Sequence, residues 1–232
     1  MLTLRKHHER GHANHGWLDT HHTFSFANYY DPRHMHFRML RVINDDQVAP
    51  GYGFGTHPHQ DMEIISYVVD GAIEHRDSMG HVSVLHKGEV QRMSAGTGLT
   101  HSEYNHSQSE RLRFLQIWVI PAQKDLTPEY EQNNYLERLR PNELCLLVSA
   151  DGRDGSVLIH QDLNLYTVHM TEDGALDYNI PNGRYTWLQL VNGAVTVNGQ
   201  TMQTGDGLAV KDETNLAIIS AQASELLLFD LA

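Results

Sequence analysis

Gly53-Phe-Gly-Thr-His57-Pro-His59 places two histidines one residue apart, and His101-Ser-Glu103 repeats that spacing further along the chain. In an extended strand alternate side chains leave the same face, so each pair presents two donors together. Two such strands facing one another would line a pocket with His57, His59, His101 and Glu103. Three imidazoles and a carboxylate suit a divalent iron, manganese, cobalt, nickel, copper or zinc ion, and no thiolate is offered. Four protein ligands on an ion that prefers six leave positions open for water, substrate or dioxygen, which a catalytic centre requires. Redox-active iron(II) is the first choice. Glu63 shares the strand parity of His57 and His59, so the spacing leaves open which glutamate joins the histidines. Gly51, Gly53 and Gly55 precede the first pair, and Gly96 and Gly98 the second, which allows tight bends at a barrel mouth.

Outward from this stretch, short runs of Val, Ile, Leu, Tyr and Phe alternate with Gly, Asn-Gly and Asp-Gly breaks, the pattern of closely spaced antiparallel strands. Strands are expected at 23–26, 39–43, 62–69, 72–76, 82–85, 90–94 and 112–120. A second series is expected at 144–148, 165–170, 186–191, 194–197, 208–210, 216–219 and 226–231. Between them, 121–141 is charged and poorly alternating, and Pro128-Glu-Tyr-Glu-Gln132 reads as a helical turn. The expected fold is all-β: two β-barrel domains in tandem, with a short helix in the linker. The domains are an N-terminal one over 1–122 with the metal site, a linker over 123–143, and a C-terminal one over 144–232. Asn192-Gly193 and Asn198-Gly199 read as hairpin turns.

Val69-Asp-Gly71-Ala-Ile-Glu-His75 is echoed by Val191-Asn-Gly193-Ala-Val-Thr-Val197, and Gly88-Glu-Val90 by Gly205-Asp-Gly207. The second copy has no counterpart of His57, His59, His101 or Glu103, so a duplicated fold would keep metal chemistry in its first half only.

With 29 acidic against 17 basic residues, the formal charge of -12 opposes nucleic acid and anionic membrane alike, although 17 histidines soften it near neutrality. Cys145 is the single cysteine and reads as a small buried hydrophobe; it allows neither an internal disulfide nor a thiolate zinc site. Met1-Leu-Thr-Leu-Arg-Lys-His-His is charged where a signal peptide needs apolar residues, and no later run is long enough to span a bilayer, so a cytoplasmic location is expected.

The motifs resemble those of the cupin superfamily. Gly51, His57, His59 and Glu63 meet its first motif, while Gly88, Gly96, His101 and Asn105 meet its second, with Ser94 in place of proline and a longer glycine-to-histidine gap. A closer resemblance, end to end, is to the pirin family of two-domain cupins. It rests on Gly11-His-Ala-Asn-His-Gly-Trp17, Thr23-Phe-Ser-Phe-Ala-Asn-Tyr-Tyr-Asp31, Arg41-Val-Ile-Asn-Asp-Asp46, Gln91-Arg-Met-Ser-Ala-Gly-Thr-Gly98, His101-Ser-Glu-Tyr-Asn105 and Ile159-His-Gln-Asp162.

The resemblance implies a bicupin, that is, two double-stranded β-helix domains, with one mononuclear metal site held by His57, His59, His101 and Glu103. Glu63 then stands behind the ligands as a reserve base. It also implies a quercetin 2,3-dioxygenase type of reaction, in which a polyphenol is cleaved with dioxygen and carbon monoxide is released. Glu103 would then take the proton of the metal-bound 3-hydroxyl. Nuclear members of the family imply an alternative, a metal- or redox-sensing regulator that binds a protein partner, and other cupins are isomerases or decarboxylases. A monomer or weak dimer is expected. Phe54 and Tyr104, next to ligands, are expected to wall the substrate pocket; Phe24 and Phe26 read as core. The histidines at 7, 8, 12, 15, 21 and 22 read as a polar segment, and His75, His106 and His160 as structural.

Overall fold

Apolar runs broken by glycine fold as the pattern requires, into short antiparallel strands. The computed structural model describes residues 1–232. The strands of the first half are β1 (Leu2–Arg5), β2 (Gly11–Asn14), β3 (Leu18–His22), β4 (Leu40–Val48), β5 (Gly53–His59), β6 (Glu63–Asp70), β7 (Ala72–Asp77), β8 (Val82–His86), β9 (Glu89–Ser94), β10 (Leu99–Asn105), β11 (Leu112–Val119) and β12 (Glu129–Asn134). Those of the second are β13 (Cys145–Ser149), β14 (Val157–Leu158), β15 (Leu163–Met170), β16 (Ala175–Asn179), β17 (Tyr185–Asn192), β18 (Ala194–Val197), β19 (Gln200–Gln203), β20 (Gly207–Val210), β21 (Asn215–Ser220) and β22 (Ser224–Leu231). The helical content is two single turns, His7–Glu9 and Arg153–Gly155, and no helix is long and apolar enough to cross a membrane.

Two β units result. One comprises Gly11–Leu136 with Val157–Gln161, the other Met1–Arg10, Glu137–Ser156 and Asp162–Ala232. In the first unit a seven-stranded sheet of order β12-β9-β6-β11-β4-β3-β2 accompanies a four-stranded sheet of order β5-β10-β7-β8. In the second, β1-β20-β17-β22-β15-β13 accompanies β16-β21-β18-β19. The echo in the sequence marks the same corner in both units, where the chain leaves the larger sheet for the smaller. Gly71 (φ +83°) joins β6 to β7, and Gly193 (φ +97°) joins β17 to β18. A Cβ on Gly71 would lie 2.9 Å from the Arg111 carbonyl oxygen, so both backbone angle and space demand glycine.

The inner face of the seven-stranded sheet positions the site. Leu18, Val48, Val68, Leu112 and Phe114 form an apolar core with Ile73 and Leu85 from the smaller sheet. Beside it runs a polar row fixed by register: His22 opposite Asn44, Asn44 opposite Gln116, Gln116 opposite Ser66, and Ser66 opposite Gln91. All five residues are buried, so each needs a partner from within the barrel.

Four expectations are corrected. The helix expected in the linker is absent: residues 129–134 form β12, paired with β9, where Glu129 and Glu131 meet the buried Arg92. Cross-strand partners outweigh local helix preference there. The domain bounds differ from 1–122 and 144–232, because β1 pairs with β20 in the second unit while 157–161 belongs to the first. Residues 23–26 form no strand; the chain turns at Ala27 (φ +49°) and makes only an isolated bridge between Phe26 and Tyr29. Asn198-Gly199 is a two-residue hairpin turn with positive φ at both positions, but Asn192-Gly193 turns between sheets.

Candidate metal centre

β5 and β10 run antiparallel with His101 opposite His57 and Leu99 opposite His59, so the two strands carry their histidines to one place. The ring centroids of His57, His59 and His101 lie 4.5 to 4.8 Å apart, and one nitrogen from each lies within 4.8 Å of the others. The pairing shifts between His101 and Glu103, where Glu103 stands opposite Phe54. That bulge puts Phe54 and His57 on the same side of β5 although three positions separate them.

The protonation pattern suits metal binding. His57 Nδ1 lies 2.8 Å from the Gly55 carbonyl oxygen; a carbonyl only accepts, so Nδ1 carries a proton and Nε2 is the nitrogen turned toward the other rings. Burial lowers His59 to about 4 and His101 to about 3, each lowered further by His57 and a neighbouring histidine, so both rings are neutral near pH 7. His59 Nε2 and His101 Nδ1 are buried without a partner. His101 Nε2 stands 3.0 Å from His57 Nε2. That separation is the length of an N–H···N hydrogen bond between the rings and leaves both nitrogens within reach of one ion.

Glu103 is buried and belongs to a second grouping, with His101 and His75, whose donor atoms also lie within 4.8 Å of one another. The polar row holds it: Ser66 Oγ donates to Oε1 at 3.1 Å and Gln116 Nε2 to Oε2 at 3.2 Å. Gln91 lies 3.4 Å from His75 Nδ1, and the other nitrogen of that ring lies 3.2 Å from Asp77 Oδ2. His75, read from sequence as structural, is thus a fully buried neighbour of the centre. Pairing with β10 brings it there, and a lone histidine carries no spacing signal for that.

Two sequence readings are corrected. Glu63 lies on the opposite face of β6 from Ser66; Ser94 Oγ donates to it at 3.0 Å and His160 Nδ1 sits at 3.4 Å. It faces away from the histidines and is neither a reserve base nor a group behind the ligands. Its spacing from His59 resembled a motif, but odd and even residues of β6 diverge. Tyr104 alternates away from Glu103, is 41 % exposed, and covers Gly53 from outside the barrel.

Phe54 lines a cavity of about 280 Å³, together with His57, His59, Phe26, Trp118 and Gln116. Trp118 stands edge-on to His59 and to Phe26, at 4.9 and 5.3 Å between centroids. Phe26 was read as core and Trp118 as ordinary strand; both are cavity walls. Asp46, Thr20, Asn44 and His22 come from the larger sheet to the same cavity. A further grouping, His12, Asp19 and His21, lies on the β2–β3 hairpin, where His12 Nε2 is already hydrogen-bonded to Asp19 Oδ1 at 2.7 Å.

Known proteins resemble this chain along its whole length. Residues 3–119 match the family model described as Pirin, and residues 146–231 that of the quercetinase C-terminal cupin domain. A quercetin 2,3-dioxygenase of Escherichia coli (strain K12) is 53% identical over 231 residues, covering 100% of this chain and 99% of the relative. A pirin-like protein of Caulobacter vibrioides is 38% identical, with 100% of each chain covered. Among solved structures, the Escherichia coli bacterial pirin YhhW in complex with nickel(II) superimposes with a TM-score of 0.95 at 52% identity, over 100% of this chain and 99% of that one.

Proposed function

The chain belongs to the pirin family of two-domain cupins, and on that premise we propose that it is a metal-dependent dioxygenase cleaving a flavonol such as quercetin. The reaction is 2,3-cleavage with dioxygen and release of carbon monoxide. The observation that carries this reading is the convergence of His57, His59 and His101, the first two of which line an aromatic-walled cavity of about 280 Å³.

His57, His59 and His101 would hold the ion, and Glu103, which shares His101 with its own grouping, would complete the set. A divalent first-row metal there, iron(II) first, would supply Lewis acidity toward the flavonol 3-hydroxyl. Glu103 would accept the proton of that hydroxyl. Ser66 and Gln116 fix the carboxyl through one donor on each oxygen, which sets its direction before substrate arrives. Phe26, Phe54 and Trp118 flank the flat ring system and keep bulk water from it.

Anaerobic titration of the iron-loaded protein with quercetin tests the reading. A shift of the flavonol absorption followed by carbon monoxide on admission of air is expected; no shift and no carbon monoxide would overturn it.

A further inference from the structure

The cavity contains polar atoms that the metal chemistry leaves unused. Of its polar side chains, His22 Nδ1 meets Asn44 Oδ1 at 2.8 Å, Gln116 serves Glu103, and His57 is tied to Gly55. Four other buried atoms on cavity residues make no hydrogen bond of full geometry: His59 Nε2, Asp46 Oδ1, Thr20 Oγ1 and Trp118 Nε1, the Thr20 hydroxyl standing near enough to Asp46 to favour its charged form without satisfying it. The first is a metal ligand. The remaining three belong to adjacent strands of the larger sheet or to Trp118 on β11, whereas His57 and His59 come from the smaller sheet. Asp46 and Thr20 sit opposite one another across β3 and β4, and are 2 % and 3 % exposed.

Unpaired buried polar atoms are unfavourable, and buried groups in folded proteins are nearly always paired. Three on residues that line one cavity point to a ligand that supplies the missing partners. Their chemistry specifies it: a carboxyl oxygen that accepts, a hydroxyl that does either, and an indole N–H that only donates. The complement is a flat apolar molecule with a hydroxyl hydrogen and an exposed oxygen acceptor.

Resting on the function proposed above, we infer that Asp46 and Thr20 form a recognition subsite for a phenolic hydroxyl other than the metal-bound one, while Trp118 Nε1 donates to a second oxygen of the same polyphenol. Asp46 is the only carboxyl on the cavity wall. Burial pushes it up to about 7, the Thr20 hydroxyl pulls it back, and the like charges of Asp45 and Glu103 push it further up. A carboxyl at this position can therefore meet a phenol oxygen as acceptor or as donor. A site built around such a group rejects an analogue that lacks the hydroxyl, because its own polar atoms are then left unpaired.

The test compares quercetin, which carries several ring hydroxyls, with 3-hydroxyflavone, which carries only the one destined for the metal. Affinities are read anaerobically from quenching of tryptophan fluorescence in nickel-loaded protein, so no turnover is needed. Wild type is expected to prefer quercetin by about tenfold or more. Asp46→Leu is expected to bring the two affinities within about twofold of each other, with Asp46→Asn intermediate and Thr20→Val following Asp46→Leu in a smaller degree. Thr20→Val also serves if Asp46→Leu fails to fold. A purely structural role for Asp46 would weaken both ligands alike; an unchanged preference in the variants, or no binding of either flavonol to wild type, would overturn the inference. Carbon monoxide release with an unchanged preference would sink the subsite and keep the dioxygenase, whereas Asp46-dependent preference without carbon monoxide would do the reverse.

Discussion

Replacing Asp46 by asparagine is expected to stabilise the folded protein, and by an amount that grows with pH. The carboxyl is buried among groups that favour its neutral form, which raises it from 3.8 to about 7. Because the folded state holds this proton more tightly than the unfolded chain, the associated stability is complete below about pH 4 and is lost as pH rises through about 7. The full shift corresponds to at most roughly 4 kcal/mol, and roughly 3 kcal/mol of it falls between pH 5 and pH 8. An asparagine of the same shape has no proton to release, so its stability keeps that increment. The assay is thermal unfolding of metal-free wild type and Asp46→Asn at pH 5, 6, 7 and 8. At about 2–4 °C per kcal/mol, the variant should gain roughly 6–12 °C on wild type between the extremes. Parallel curves across this range would show that the Asp46 carboxyl is not held neutral, and the description of the cavity wall would need to change.

Gln116→Leu removes one of the two donors that orient Glu103, and metal affinity measured by chelator competition should fall about 10–100-fold; an unchanged affinity would refute the orienting role. Glu63→Gln should leave carbon monoxide release within about threefold of wild type while lowering stability by about 1–3 kcal/mol, because its partners are Ser94 and His160; collapse of turnover in a folded variant would restore it to the centre. Gly71→Ala should lower the denaturant midpoint by roughly 2–3 kcal/mol of stability, since φ is +83° and the added carbon meets the Arg111 carbonyl at 2.9 Å; a neutral effect would mean that the corner relaxes freely.

The strands of the two units were legible where apolar residues dominated a run of six or more, as in β6, β11 and β22. The histidine spacing anticipated the convergence of His57, His59 and His101 because parity within one strand is a local property. What failed was long-range. β1 and β12 have unremarkable local patterns and exist because β20 and β9 offer them an edge. Glu63 kept the right spacing from His59, yet the chain bends at Asp61 (φ +48°) between β5 and β6, so parity does not carry across. Tyr104 was placed by adjacency to Glu103, whereas alternation sends neighbours to opposite faces. Asp46, Thr20 and Trp118 have no spacing that marks them as a site, and the registers of β3, β4 and β11 bring them together, while Phe26 reaches the cavity from the turn after β3.

The central claim is that one ion, held by His57, His59, His101 and Glu103, performs the chemistry. Metal content per chain, measured beside carbon monoxide yield from quercetin for wild type, His101→Ala and Glu103→Gln, tests it most directly. The account predicts about one ion per wild-type chain, loss of both metal and carbon monoxide in His101→Ala, and metal retained at lower affinity but carbon monoxide lost in Glu103→Gln. A folded His101→Ala that keeps its ion and its carbon monoxide yield would contradict it.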